Sequence, residues 1–126
     1  MFQYEGTAIY KSEINIPEPG TALSNELSGS CSATSAVGIP TSFSENRFIL
    51  CKVKVKATLN GRDEPLLTVT SISKFAVTDD NSSEDEIVEK AERECGHIAM
   101  QKTADKIADV TELLCGQRID LPIGDD

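Results

Sequence analysis

Residues 47–77 read RFILCKVKVKATLNGRDEPLLTVTSISKFAV and decide the fold of this chain. In the first half, apolar residues alternate with three lysines, Lys52, Lys54 and Lys56. Alternation with a period of two is typical of a β-strand that has one buried face. A second run of the same kind follows the turn residues Asn60 and Gly61, so the sequence predicts a long hairpin with strands at about 47–59 and 65–77.

The length of the hairpin loop decides which side chains are buried together. A two-residue loop aligns Val55 with Leu66, whereas an odd loop, residues 60–64, places Val55 on one face with Leu67 and Val69. A slip of one residue turns a whole set of side chains to the other face. We favour the odd loop because it collects the aliphatic residues, and we expect the lysine row on the open face of the sheet.

The first 44 residues contain two weaker strand patterns. Residues 2–16 form the first pattern, which ends where Pro17-Glu18-Pro19-Gly20 removes hydrogen-bond donors and favours a turn. The following segment is rich in Ser, Ala and Gly, and we place a weak strand in it at about 25–35. A mobile loop is expected around residues 38–40.

The last third of the chain is expected to be helical. Residues 83–86, Ser-Glu-Asp-Glu, form a capping box that starts a helical region at about 84–115. Apolar stripes run through Ile87, Ala91, Cys95 and Ile98 and then through Met100, Ala104, Ile107, Val110 and Leu114, with Gly96 between them as a predicted break or bend. Gly116 ends the helix before an extended tail, residues 116–126. Strands first and helices last predict a single α+β domain, residues 1–126, with helices on one sheet face.

Composition and charge indicate which classes of binding partner are unfavourable for this chain. Hydrophobic residues make up 39% of the 126 residues and aromatic residues 5%, which predicts a thin aliphatic core and favours an oligomer. The net charge is −9, with a local acidic excess in residues 79–94, which disfavours binding to nucleic acid or to a membrane. The chain contains no signal-peptide pattern and no long apolar run, so we expect a cytoplasmic protein with reduced cysteines.

No group of residues in the sequence forms a recognisable catalytic or metal-binding motif. His97 is the one histidine, and it lies two residues from Cys95, so the two side chains point roughly 200° apart on a helix and form no dyad. Closely spaced cysteine pairs and phosphate-binding glycine loops do not occur. We therefore expect no enzyme, no metal and no cofactor.

The order of these patterns resembles the SecB family of bacterial export chaperones. The resemblance runs through IYKSEINIPEP (9–19), the hairpin strands 47–59 and 66–77, CGHI (95–98) with KIA (106–108), and Gly116 with LPI (121–123). It implies a four-stranded antiparallel sheet with a long central hairpin, covered on one face by a short and a long helix. It also implies a homodimer or homotetramer that holds non-native polypeptide in apolar grooves and, in export members, delivers it to SecA.

The sequence departs from the family at three places, and one of them is the loop after Pro19, which lacks the family's apolar and aromatic content. Met100, Gln101 and Lys102 stand where the family has aromatic and proline residues that line its groove, and Thr68 stands where it has an acid that docks SecA. Glu13 does match the acid of the opening strand and is the candidate for docking a partner. The resemblance therefore implies peptide holding more strongly than an export role, and a SecA-type partner stays open.

Seven apolar residues are our candidates for peptide contact: Leu23, Leu27, Ile39, Phe48, Leu50, Ile98 and Met100. The groove interpretation has an alternative, in which the same positions are covered by self-association. The chain would then be a non-catalytic structural or adaptor oligomer that binds no client.

Overall fold

A computed structural model describes residues 2–15, 29–41, 47–59, 65–78, 83–116 and 118–123. The elements are β1 (Phe2–Ile14), β2 (Gly29–Gly38), β3 (Phe48–Leu59), β4 (Leu67–Val77) and α1 (Glu84–Cys115). The strands form one antiparallel sheet in the order β1-β4-β3-β2. The predicted α+β class is confirmed, with one continuous helix in place of several.

The register of the β3–β4 hairpin is the one that an odd loop requires. Val55 pairs with Val69 and Ala57 with Leu67, so the predicted register is confirmed. The loop itself, residues 60–64, lies outside the described residues. Every second residue from Ile49 to Ala57 and from Leu67 to Val77 is buried on the face that α1 covers: Ile49, Cys51, Val53, Val55, Ala57, Leu67, Val69, Ser71, Ser73, Phe75 and Val77.

Strand β2 lies further along the chain than the sequence predicted. It runs from Gly29 to Gly38 in unbroken register with β3, and Gly38 pairs with Leu50. The predicted start at residue 25 lies outside the described residues, and the mobile loop predicted at 38–40 is wrong at Gly38. The Ser, Ala and Thr residues of β2 have a weak strand pattern in the sequence. Pairing with a neighbouring strand decides β structure more than intrinsic propensity does, so β2 forms beside β3 despite this weak pattern.

Helix α1 is continuous through Gly96, so the predicted break is wrong. The helix begins after Ser83, whose hydroxyl accepts a hydrogen bond from the Glu86 N–H (3.3 Å), and ends at Gly116 in the left-handed conformation (φ 73°). Gly96 is buried against β2, where an added Cβ would lie 3.0 Å from the Ser35 Oγ. The glycine therefore permits a close approach of helix to sheet and does not interrupt the helix.

The buried stripe of α1 consists largely of small side chains: Ile87, Ala91, Cys95, Ala99, Thr103, Ile107, Ala108 and Thr111. Two residues predicted for the stripe, Ile98 and Leu114, are instead 36% and 68% exposed. The close packing at Gly96 favours Ala99 and Thr103 over the bulkier Ile98 as the residues that face the sheet. After α1, Arg118 forms an ion pair with Asp109 (2.8 Å), and Ile123 is buried.

Candidate functional site

The face of the sheet opposite α1 carries the most distinctive surface of the described chain, and we call it the open face. Its rows follow from the β3–β4 register, in which Leu50 pairs with Lys74 and Lys52 with Ile72. Side chains at these positions are exposed or half-buried, whereas their sequence neighbours on the other face are buried. No element of the described residues covers the open face, and the other side of the sheet holds the core.

Apolar residues gather at one end of the open face. This open-face patch consists of six residues: Ala8, Tyr10, Phe48, Leu50, Ile72 and Ala76. Ile72 joins the strands, because it pairs with Lys52 on β3 and with Ala8 on β1. Phe48, Leu50 and Ile72 are half-buried, and Tyr10 is 52% exposed.

Two irregularities in β1 shape the edge of this patch. The β1–β4 register shifts between Tyr4 and Gly6 and again between Ile9 and Lys11, so Glu5 and Tyr10 are extra residues. Gly6 has a φ of 154°, a conformation that disfavours a side chain. A shallow depression of about 540 Å³ results, lined by Glu5, Gly6, Thr7, Ala8, Tyr10, Ile72 and Lys74.

Two lysines lie across the apolar side chains of the patch. The Lys74 Nζ is 4.5 Å from the Phe48 ring centre and 3.9 Å from a Glu5 carboxylate oxygen. The Lys52 Nζ is 5.8 Å from the Tyr10 ring centre. Because lysine stems cover apolar surface while the ammonium groups stay in water, the patch is partly shielded and still accessible.

The lysine row continues away from the patch along β3. Lys54 and Lys56 are exposed and, within the described residues, pair with no carboxylate. Glu13, the predicted partner-docking residue, lies on the same face in the row Glu13–Thr68–Lys56. Thr68 of β4 thus separates Glu13 on β1 from Lys56 on β3. The role of Glu13 in docking a partner stays a prediction.

The seven predicted peptide contacts do not share one surface. Phe48 and Leu50 belong to the open-face patch, whereas Ile39 and Met100 pack against the core, and Ile98 lies on α1. Leu23 and Leu27 fall outside the described residues. All seven stay predictions as binding residues, and the structure divides the described ones between the two sides of the sheet.

Sequence reasoning missed four members of the patch, Ala8, Tyr10, Ile72 and Ala76. The odd-loop register already placed Ile72 opposite Lys52, so this residue was within reach of the pattern. Tyr10 was not, because an extra residue in β1 reverses the alternation that follows it.

Among the described thiols, Cys51 and Cys95 are buried and Cys31 is half-buried. Burial raises the pKa of Cys51 to about 11, and burial, reinforced by the nearby Cys51 and Glu94, raises that of Cys95 to about 12. Burial also raises the pKa of Cys31. An activated nucleophile requires a lowered pKa. No cluster of three or more metal-binding side chains occurs among the described residues, and the absence of catalysis stays a prediction.

Comparisons with known proteins bear on the fold. The sequence matches no family model and no curated protein. The structure is similar to a solved chain, the SecB-like chaperone Rv1957 of Mycobacterium tuberculosis in complex with a ChAD peptide from the Rv1956 HigA1 antitoxin. The TM-score is 0.65 and the identity 11%, over 97% of this chain and 86% of that chain. The fold is therefore SecB-like.

A weaker likeness is to a protein of unknown function from Streptococcus agalactiae, with a TM-score of 0.40 and 13% identity over 98% of each chain. In the described part of this chain, α1 lacks the apolar length that a membrane crossing demands.

Proposed function

We propose that this protein is a non-catalytic, SecB-like chaperone that holds extended or non-native polypeptide on the open-face patch. The observation that carries the proposal is the half-buried trio Phe48, Leu50 and Ile72 on a sheet face that no described element covers. The likeness in fold to a chaperone solved with a peptide supports it. The proposal includes a cytoplasmic homodimer or homotetramer that uses no cofactor.

The patch suits reversible binding of an extended chain. Burial of one large apolar side chain contributes about 1.5–3 kcal/mol, so a client residue seated between Ile72 and Tyr10 is held weakly by itself. Several contacts along one client then add affinity without stabilising any folded form. The proposed function does not include export, because Thr68 and Lys56 follow Glu13 across the open face, where a SecA-docking face would be acidic.

The direct test is suppression of aggregation. A urea-unfolded client is diluted into buffer with the pure protein, and light scattering is followed. The wild type at stoichiometric excess should slow aggregation, and Leu50→Asp should weaken that effect because it places a charge in the apolar patch. Thr58→Asp is the matched control, since it adds the same charge to the same face of β3 beyond the lysine row. No suppression by the wild type at excess would refute chaperone activity and leave the fold intact.

The second candidate function is a structural or adaptor oligomer without clients. It is favoured by Leu113 and Leu114 at the end of α1, which are 83% and 68% exposed. Large exposed apolar residues side by side are typical of interaction sites. Light scattering for size, combined with a dye that binds exposed apolar surface, separates the two functions. A tight oligomer that binds no dye would favour the adaptor, and an oligomer that binds dye would favour the chaperone.

A further inference from the structure

We infer that the open face selects acidic polypeptide segments: the lysine row binds carboxylates while the adjacent patch takes an apolar side chain of the same segment. This inference rests on the proposed function and names its substrate class. It concerns the charge of the client, which the fold alone does not specify.

Positive charge is concentrated on this face. Among the described residues, five of the chain's twelve lysines and arginines lie there, against two acids, Glu5 and Glu13: Lys11, Lys52, Lys54, Lys56 and Lys74. The chain as a whole carries a net charge of −9, so the rest of the molecule is strongly acidic. The open face is thus a basic surface on an acidic protein. An acidic partner is electrostatically more complementary to the open face than to the acidic remainder of the surface.

Protection of a sheet edge does not account for the row. Lysines are common on exposed edge strands, where they prevent pairing with another chain. β3, however, is an inner strand, flanked by β4 and β2. Lys54 and Lys56 also lack a carboxylate partner in the described part of the chain, so they are available to an external anion.

The spacing of the row matches an extended peptide. Lys52, Lys54 and Lys56 recur at every second residue of a strand, which gives steps of about 7 Å. Acidic residues two apart in an extended segment have the same repeat. Lys52 pairs with Ile72, so the row begins where the patch ends. A segment that places an apolar residue on Ile72 therefore brings its following acids over Lys54 and Lys56.

A nucleic acid strand is the competing polyanion. The floor of the depression is aliphatic, with Ala8 and Ile72. The open-face patch offers two rings, Tyr10 and Phe48, and the Lys74 Nζ lies 4.5 Å from the Phe48 ring centre, whereas single-stranded nucleic acid is held by series of stacked rings. The surrounding acidic surface repels a long polyanion more than a short segment with three or four carboxylates, because repulsion acts over a Debye length of about 10 Å. These features favour the peptide.

The test compares two fluorescent peptides with the same apolar residues, one alternating them with Glu and the other with Lys. Fluorescence anisotropy at low salt should show tighter binding of the Glu peptide. Lys54→Gln/Lys56→Gln should weaken that binding by between about 2-fold and 30-fold, since two exposed ion pairs are lost. Arg93→Gln/Lys106→Gln is the matched control, because it removes two exposed charges from α1, on the other side of the sheet.

Other results of the binding and aggregation measurements would overturn the inference. Equal binding of both peptides, or equal losses in the two double variants, would overturn the acidic selectivity and leave the proposed function standing. Binding of neither peptide, together with no suppression of client aggregation, would overturn both. Tighter binding of an oligothymidylate than of the Glu peptide would overturn the inference in favour of nucleic acid. Dissociation of an oligomer in the Lys54→Gln/Lys56→Gln variant would overturn it in favour of a second copy on this face.

Discussion

The Ser71 hydroxyl of β4 hydrogen-bonds the Thr103 hydroxyl of α1 across the centre of the helix–sheet contact, with the two oxygens 2.6 Å apart. Thr103 donates its own proton to the Ala99 carbonyl (2.7 Å), so Ser71 is the donor in this pair. Both residues are fully buried. A hydrogen bond between two hydroxyls therefore joins helix to sheet where a larger core would use aliphatic contacts.

The Ser71–Thr103 pair predicts unequal costs for two substitutions. Thr103→Val leaves the Ser71 donor buried without an acceptor and should lower the free energy of unfolding by about 1–3 kcal/mol. Ser71→Ala should cost about 0.5–1.5 kcal/mol, because Thr103 keeps its bond to Ala99. Urea unfolding of both variants and the double variant measures this, and the double variant should lose less than the sum. Strict additivity would show that the two hydroxyls are not coupled.

Gly96→Ala is expected to stabilise the protein only when the Ser35 hydroxyl is removed as well. Gly96→Ala gains about 0.8–1 kcal/mol in helix propensity but places its Cβ 3.0 Å from the Ser35 Oγ. We expect little net change in wild-type background. In a Ser35→Ala background the nearest remaining atom is the Ser35 Cβ position at 3.8 Å, so the full gain should appear in urea unfolding. The same effect in both backgrounds would rule out the steric explanation.

Cys51 predicts a loss of stability in alkali. Its pKa is raised from 9.0 to about 11 by burial, so between these values the folded state keeps a proton that the unfolded state releases. The stabilising contribution is complete below pH 9 and is lost as pH rises towards 11. The free energy of unfolding should therefore fall more steeply with pH in the wild type than in Cys51→Ala. Parallel pH profiles would contradict the assignment to this thiol.

Substitution of Leu113 and Leu114 is expected to change association between subunits and to leave the stability of the folded chain unchanged. Both are exposed, so Leu113→Gln/Leu114→Gln should leave the free energy of unfolding of the monomeric protein within about 0.5 kcal/mol per site. If the end of α1 joins subunits, light scattering should show a smaller particle for this variant. An unchanged oligomer would place the subunit contact elsewhere, and Lys106→Gln serves as the control on the same helix.

The sequence pattern was sufficient for elements whose signals are local. The alternation around Lys52 predicted β3 and its register, and the capping box at Ser83 predicted the start of α1. The errors arose where tertiary packing overrides local preference. Gly96 looked like a helix breaker because its neighbour Ser35 comes from a strand with a weak pattern of its own.

The part of the candidate site that lies on β3 was predictable, because it follows the regular alternation of that strand. Phe48, Leu50 and the lysine row follow the alternation of β3, so their common face could be read from the sequence. Tyr10 joins that face only through an extra residue in β1, and such bulges leave no reliable mark in a single sequence. Alternation assigns a residue to one side of the sheet and does not say which surfaces meet, so the sequence could not group the candidate contacts into surfaces.

The bulges in β1 make the two margins of the sheet unequal. A strand that tried to pair with β1 would meet two interruptions in its ladder, at Glu5 and Tyr10, whereas β2 offers ten residues in unbroken register. Interrupted margins resist the addition of further strands. In the described part of the chain, growth of the sheet by one further strand is thus favoured on a single side. Two copies that met there would use up the receptive margin of each, which permits a closed pair and opposes a filament.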